Sequence, residues 1–118
     1  MDRYDEDDGR TLSLWEDDSQ KKVILANLHS DEKISFILKR SCTAGRCKPP
    51  CDVQVTTQDR YVSGKHVCFE KKGNAVYIKD LNSKNGTWLN GQRVSSCVRI
   101  RRGDVLKIGR SEFKIYLN

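Results

Sequence analysis

The apolar segments of this chain are short, and that constrains its fold more than any other feature. Val23–Leu28, Lys33–Leu38, Asp52–Val55, His66–Glu70, Ala75–Lys79, Thr87–Leu89, Val98–Ile100, Val105–Ile108 and Phe113–Leu117 each span three to six residues, and several alternate apolar with polar. That period suits a strand showing one face to a core and the other to water. No stretch carries a helical period over the ten or more residues a helix needs. Turn formers stand between the segments: Lys72-Gly73-Asn74, Asn85-Gly86, Asn90-Gly91, Gly103-Asp104 and Gly109. Many short strands with regular turns predict an all-β chain, an antiparallel sandwich or barrel. A length of 118 residues suits one such domain.

Charge divides the chain in two. Residues 1–20 hold eight acids and two bases, a net of −6, whereas the remainder holds 20 bases and eight acids, a net of +12. Residues 1–20 are expected to be a poorly ordered acidic tail, with Leu12, Leu14 and Trp15 as a foothold on the core, and 21–118 to be the domain. The basic body favours anionic partners: phosphate, acidic peptide or nucleic acid. The tail is expected either to solvate the chain or to shield that basic face. No apolar run has membrane-spanning length and no secretory leader opens the sequence, so an intracellular domain without membrane contact is expected. The last strand pattern reaches the final residue, which suggests a piece of a larger protein.

Five cysteines, Cys42, Cys47, Cys51, Cys68 and Cys97, make an odd set that argues against a disulfide framework. Cys42, Cys47 and Cys51 with His66 lack a Cys-x-x-Cys pair, so no metal and no cofactor are expected. Cys68 sits in a strand pattern and reads as a small buried apolar residue.

Three loops, Thr43–Cys51, Gln58–Lys65 and Asn82–Gly86, are rich in polar and small residues. In a sandwich, loops at one end meet and commonly carry function. In the first, Gly45 permits close backbone approach and Arg46 offers a planar fork for phosphate or carboxylate. In the second, Ser63 carries a hydroxyl, Gly64 an open backbone and Lys65 a charge. Ser63 with His66 invites a hydrolase reading, but no third group or oxyanion hole accompanies them. His66 therefore reads as a buried, hydrogen-bonded structural residue. In the third, Asn85 offers an amide donor and acceptor able to read a peptide backbone, and Gly86 permits a positive φ.

Taken in order, Gly45-Arg46, Ser63-x-x-His66, Asp80-Leu81-x-Ser83-x-Asn85-Gly86-Thr87-x-x-Asn90-Gly91 and Gly103-Asp104-x-x-x-Ile108-Gly109 resemble a forkhead-associated (FHA) domain across residues 45–117. Gly-Arg-x-x-x-x-Cys-Asp and Asn-Gly-Thr-Trp-Leu-Asn-Gly-Gln look most like the FHA domains of fungal checkpoint kinases. The resemblance implies a two-sheet sandwich of about eleven strands that binds phosphothreonine peptides through loops at one end and is not an enzyme. It implies that Arg46 and Ser63, with Gly64 and Lys84 beside them, hold the phosphate, and that Asn85 holds the peptide backbone. Gly45, His66 and Gly86 would support the loops. Tyr61 would lie where the residue three positions after the phosphothreonine is chosen, and Lys65 would add charge. The pattern departs at Gly64, where many members carry Arg, Lys or Asn; Lys84 or Lys65 would compensate. A phosphorylated partner protein and a nuclear location follow as expectations. Direct nucleic-acid binding, suggested by Arg99-Ile100-Arg101-Arg102, ranks below this reading because aromatics for base stacking are sparse. An FHA-like scaffold without phosphate recognition is the other alternative.

Overall fold

The computed structural model describes residues 20–49 and 51–118. The expected foothold of Leu12, Leu14 and Trp15 lies outside the described residues, as does all of the acidic tail except Gln20. Among the described residues the regular elements are all strands: β1 (Lys21–Asn27), β2 (Lys33–Leu38), β3 (Ser41–Gly45), β4 (Val53–Gln54), β5 (Val67–Lys72), β6 (Ala75–Asp80), β7 (Thr87–Leu89), β8 (Gln92–Arg93), β9 (Val98–Ile100), β10 (Val105–Ile108) and β11 (Ser111–Leu117). They form a six-stranded sheet in the order β2-β1-β11-β10-β7-β8 and a five-stranded sheet in the order β4-β3-β5-β6-β9.

Alternation along each strand builds the core between the sheets. On β11, Phe113 and Ile115 face inward and Lys114 faces out. Its neighbours β1 and β10 add Val23, Leu25, Leu106 and Ile108. The opposing sheet contributes Ala44, Val67, Phe69, Val76, Ile78 and Ile100. Burying each large side chain stabilises the fold by about 1.5–3 kcal/mol. Phe36 of β2 meets Phe69 of β5 edge-to-face across the layers, with centroids 5.3 Å apart. The expected sandwich is thus the observed one.

Two local expectations change. Thr43–Gly45 belongs to a strand, so the first loop begins at Arg46. Ser41–Gly45 is built of small residues with no large apolar alternation to announce it; its pairing with β5, Cys42 opposite Phe69, makes it a strand. The pairing is antiparallel except that β4 runs parallel to β3, Ala44 opposite Val53 and Gly45 opposite Gln54. Periodicity reports which face a residue takes, not the direction of its neighbour. The Asp52 N–H donates to the Thr43 carbonyl at 3.0 Å and the Val55 N–H to the Gly45 carbonyl at 2.8 Å, which anchors the returning segment.

Candidate functional site

The loop after β3 and the loop after β4 are fastened back to back. The Arg46 N–H donates to the Ser63 carbonyl at 3.0 Å, and the Cys47 N–H to the Gly64 carbonyl at 3.3 Å. Arg46 Nε also donates to the Val62 carbonyl at 3.0 Å. That bond fixes the guanidinium beside Ser63 and leaves its two terminal nitrogens for another acceptor. Gly45 makes the approach possible. A Cβ there would stand 2.8 Å from the Gly64 carbonyl carbon and 2.9 Å from the Ser63 oxygen, closer than real Cβ contacts allow. At Gly64 itself a Cβ would meet only Cys47, with Sγ at 3.5 Å.

His66 joins the second loop to the third. It is fully buried. Its Nδ1 accepts the Ser63 N–H at 3.0 Å, so the proton sits on Nε2, which donates to the Gly86 carbonyl at 2.8 Å. Both ring nitrogens are thereby occupied by backbone. Burial pushes the His66 pKa below its ordinary value, against the pull of the Gly86 bond and of Asp80 and Asp59. A neutral imidazole is what this arrangement needs, because a second ring proton would confront the Ser63 N–H. Ser63 Oγ, meanwhile, accepts the Lys84 N–H at 3.0 Å. The pair is structural, not a nucleophile and its base.

The third loop closes on Asp80. The Ser83 hydroxyl and the Thr87 hydroxyl donate to Asp80 Oδ1, the latter at 2.7 Å, and the Ser83 N–H donates to Oδ2 at 2.9 Å. Ser83 Oγ then accepts the Gly86 N–H at 3.0 Å. Burial alone would raise the Asp80 pKa; the bonds from Ser83 and Thr87 outweigh it and hold the carboxyl below the usual range. Gly86, at φ +88°, turns the chain into β7. Asn85 projects from this loop and its amide donates to the Tyr61 carbonyl at 3.0 Å, which ties the third loop to the second.

A further corner flanks Tyr61, which is exposed. Arg110, in the turn between β10 and β11, stacks 4.2 Å above the Tyr61 ring and donates to its hydroxyl at 3.1 Å. Asp59 holds both: it accepts the Tyr61 N–H at 2.9 Å, the Arg110 N–H at 2.9 Å and the Ser111 hydroxyl at 2.6 Å. Burial would raise the Asp59 pKa, but the Ser111, Tyr61 and Arg110 hydrogen bonds hold it lower. Beside this corner lies a cavity of about 650 Å³ lined by Glu32, Thr56, Asp59, Arg60, Tyr61 and Arg110 among others.

The structure therefore brings Arg46, Ser63, Gly64, Lys84 and Asn85 together at one end of the sandwich. Gly45, His66 and Gly86 lie beneath or beside them, Tyr61 lies at the margin, and Lys65 is exposed next to Gly64. The ion pairs found among the described residues, His29–Glu112 and Lys79–Glu70, involve none of the site's cations. A guanidinium fork and a hydroxyl on adjoining loops, with Lys65 and Lys84 next to them in the chain, suit a dianion carrying several acceptor oxygens. Asp59 and Arg110 have no counterpart in the sequence reading. Asp80 was visible only as a motif position, with no role. An acid inside a polar run gives no sign that it caps two hydroxyls. Among the described residues no cluster of His, Cys, Asp and Glu has the geometry of a metal site.

Comparison with known proteins gives a consistent result. Residues 42–109 match the family model for the FHA domain. The FHA domain-containing protein FhaB of Mycobacterium tuberculosis is 31% identical over 64 residues, which cover 54% of this chain and 41% of FhaB. The E3 ubiquitin-protein ligase DMA2 of Saccharomyces cerevisiae is 40% identical over 63 residues, covering 47% of this chain and 12% of the ligase. The chain thus spans less than half the length of either relative. A solved FHA domain studied for its phosphothreonine-dependent interactions superposes with a TM-score of 0.68 at 26% identity, over 83% of this chain and 96% of that one. EmbR of Mycobacterium tuberculosis, solved with a low-affinity phosphopeptide, superposes with a TM-score of 0.68 at 25% identity, over 80% of this chain and 24% of that one. With the matched segment exceeding half of its length and the sandwich and loop constellation both in place, this chain belongs to the FHA domain family.

Proposed function

We propose that this chain is a phosphothreonine-peptide binding module that recruits phosphorylated partner proteins. The observation that carries the reading is the clamped Arg46. Its Nε is committed to the Val62 carbonyl and its backbone N–H to the Ser63 carbonyl, which holds the guanidinium on the Ser63 loop with its terminal nitrogens left for a ligand. In this reading the phosphate takes two hydrogen bonds from Arg46 and one from Ser63. Lys84 and Lys65 supply charge where Gly64 provides no side chain. Asn85, already on the Tyr61 carbonyl, uses its remaining amide groups on the peptide backbone. In this reading the work is binding, and both nitrogens of His66 are engaged by backbone, so Ser63 finds no base there.

The wider setting is also a proposal. A checkpoint or kinase-signalling parent and a nuclear location rest on Gly-Arg-x-x-x-x-Cys-Asp and Asn-Gly-Thr-Trp-Leu-Asn-Gly-Gln alone. The relatives include mycobacterial proteins and a yeast ubiquitin ligase, so they support no single parent.

The test is a titration of the wild type and Arg46→Ala with a phosphothreonine peptide drawn from a degenerate library. Loss of a charge-assisted partner at a desolvated site is expected to weaken binding by about 2–5 kcal/mol. Unchanged affinity in the variant removes Arg46 from the site.

A further inference from the structure

The turn from Cys47 to Cys51 carries chemistry that phosphate recognition does not use. The Cys51 N–H donates to the Cys47 carbonyl at 3.1 Å. With standard bond lengths, that bond caps the Cα–Cα separation at roughly 7 Å, and disulfides form across about 4.4–6.8 Å. Both side chains approach a single peptide unit. The Cys51 thiol donates to the Gly64 carbonyl at 2.9 Å. The Cys47 sulfur lies 3.5 Å from the place a Cβ of Gly64 would take, and the Cys47 N–H shares the same carbonyl. Both thiols are free; Cys47 is half-buried and reaches solvent, whereas Cys51 is buried. Of the other cysteines, Cys42 and Cys68 are buried on β3 and β5, and Cys97 is exposed with its thiol toward Glu70 at 3.8 Å.

We propose that Cys47 and Cys51 form a peroxide-sensitive dithiol, and that their oxidation to an intramolecular disulfide weakens phosphopeptide binding. The Cys47 thiolate attacks one peroxide oxygen, the O–O bond breaks, and the departing hydroxide takes up a proton as water. Cys47 is then a sulfenic acid. The Cys51 sulfur gives up its proton and attacks the Cys47 sulfur, the S–O bond breaks, and a second water leaves. Peroxide is reduced to two waters while two thiols become one disulfide. Burial pushes the Cys51 thiol up, despite the charge of Lys65 nearby, which suits a group that reacts second.

The consequence for binding follows from what Cys51 gives up. Its thiol hydrogen is the one held by the Gly64 carbonyl. Gly64 follows Ser63 and lies directly against Gly45. A sulfur drawn toward Cys47 releases that carbonyl and shifts the Ser63–Lys65 backbone. This half of the proposal rests on the phosphopeptide reading; the disulfide does not.

The experiment treats the reduced chain with hydrogen peroxide, digests it without reductant and maps the peptides by mass spectrometry. Affinity for the best peptide of a degenerate phosphothreonine library is measured before oxidation, after it, and after dithiothreitol. The proposal expects a peptide that holds both cysteines and lacks two hydrogens. It also expects binding about tenfold weaker, as loss of one supporting hydrogen bond gives, and recovery with reductant. Cys47→Ser, at a half-buried position, is expected to melt like the wild type and abolish both effects, while Cys97→Ser abolishes neither. Cys47 halted at sulfinic acid, or linked to another cysteine, overturns the dithiol. A Cys47–Cys51 disulfide with unchanged phosphopeptide affinity overturns the regulatory half. If no library peptide binds the reduced chain, the phosphopeptide reading fails, and the peptide map still decides the dithiol.

Discussion

At the scale of single residues, His66 sets the terms. Its neutral form is the one the loops were built around, and burial lowers its pKa. A group with a folded pKa below its unfolded value of about 6.5 contributes stability above that value and loses it as pH falls toward the folded pKa. Urea denaturation of the wild type is therefore expected to show stability declining as pH falls below about 6.5. His66→Ala should flatten that decline. The variant also orphans the Ser63 N–H and the Gly86 carbonyl, a cost on the order of 1–3 kcal/mol for each buried group left unpaired. Stability independent of pH across that window contradicts the assigned tautomer. Of these residue roles, the sequence disclosed the structural character of His66 but not its partners. A histidine just ahead of an apolar strand pattern reads as buried; only the fold shows which backbone groups reach its two nitrogens.

At the scale of elements, the loops are held by backbone approach more than by side-chain packing. Gly45 presses β3 against the Ser63–Gly64 peptide. Gly45→Ala is expected to destabilise the fold by about 1–3 kcal/mol, the usual range for forcing an extra carbon into a packed site, and to weaken phosphopeptide binding as the Arg46 loop moves away. Thermal denaturation checks the first part and a binding titration the second; a neutral Gly45→Ala would show that the loops have slack. Asp80 belongs to the same scale. Its hydrogen bonds outweigh burial and lower its pKa, so its contribution is present above the ordinary carboxylate value and lost in acid as pH falls through the folded one. Asp80→Ala is expected to loosen the 81–86 loop, seen as faster amide exchange at Ser83 and Gly86. Unchanged exchange there would mean that the loop does not depend on Asp80. The strands themselves were largely legible, because period-two patterns such as Ala75–Lys79 and Phe113–Leu117 admit little else. β3 and β8 were not. One is made of small residues and the other is two exposed polar residues, Gln92 and Arg93, so neither carries an apolar signal.

At the scale of the whole molecule, the sandwich gathers three loops at one end and buries its core between the sheets. The positions named from sequence, Arg46, Ser63, Gly64, Lys84 and Asn85, converge although they span three loops, because β3, β5 and β7 deliver them to the same end. Their spacing was legible; their joint clamp on the Tyr61–Gly64 backbone was not, since hydrogen bonds between distant loops leave no mark in a linear pattern. A site built from a guanidinium, a hydroxyl and lysines should bind its dianion less tightly as salt rises, and selection of threonine over serine should reflect about 1–3 kcal/mol for one fitted methyl group. The most direct measurement is a calorimetric titration of the domain with one peptide in three forms, phosphothreonine, phosphoserine and unphosphorylated threonine. The account predicts firm binding of the first, markedly weaker binding of the second and none of the third. Equal binding of all three, or binding of none from a broad phosphothreonine library, would contradict it and leave an FHA fold that meets its partners through another face.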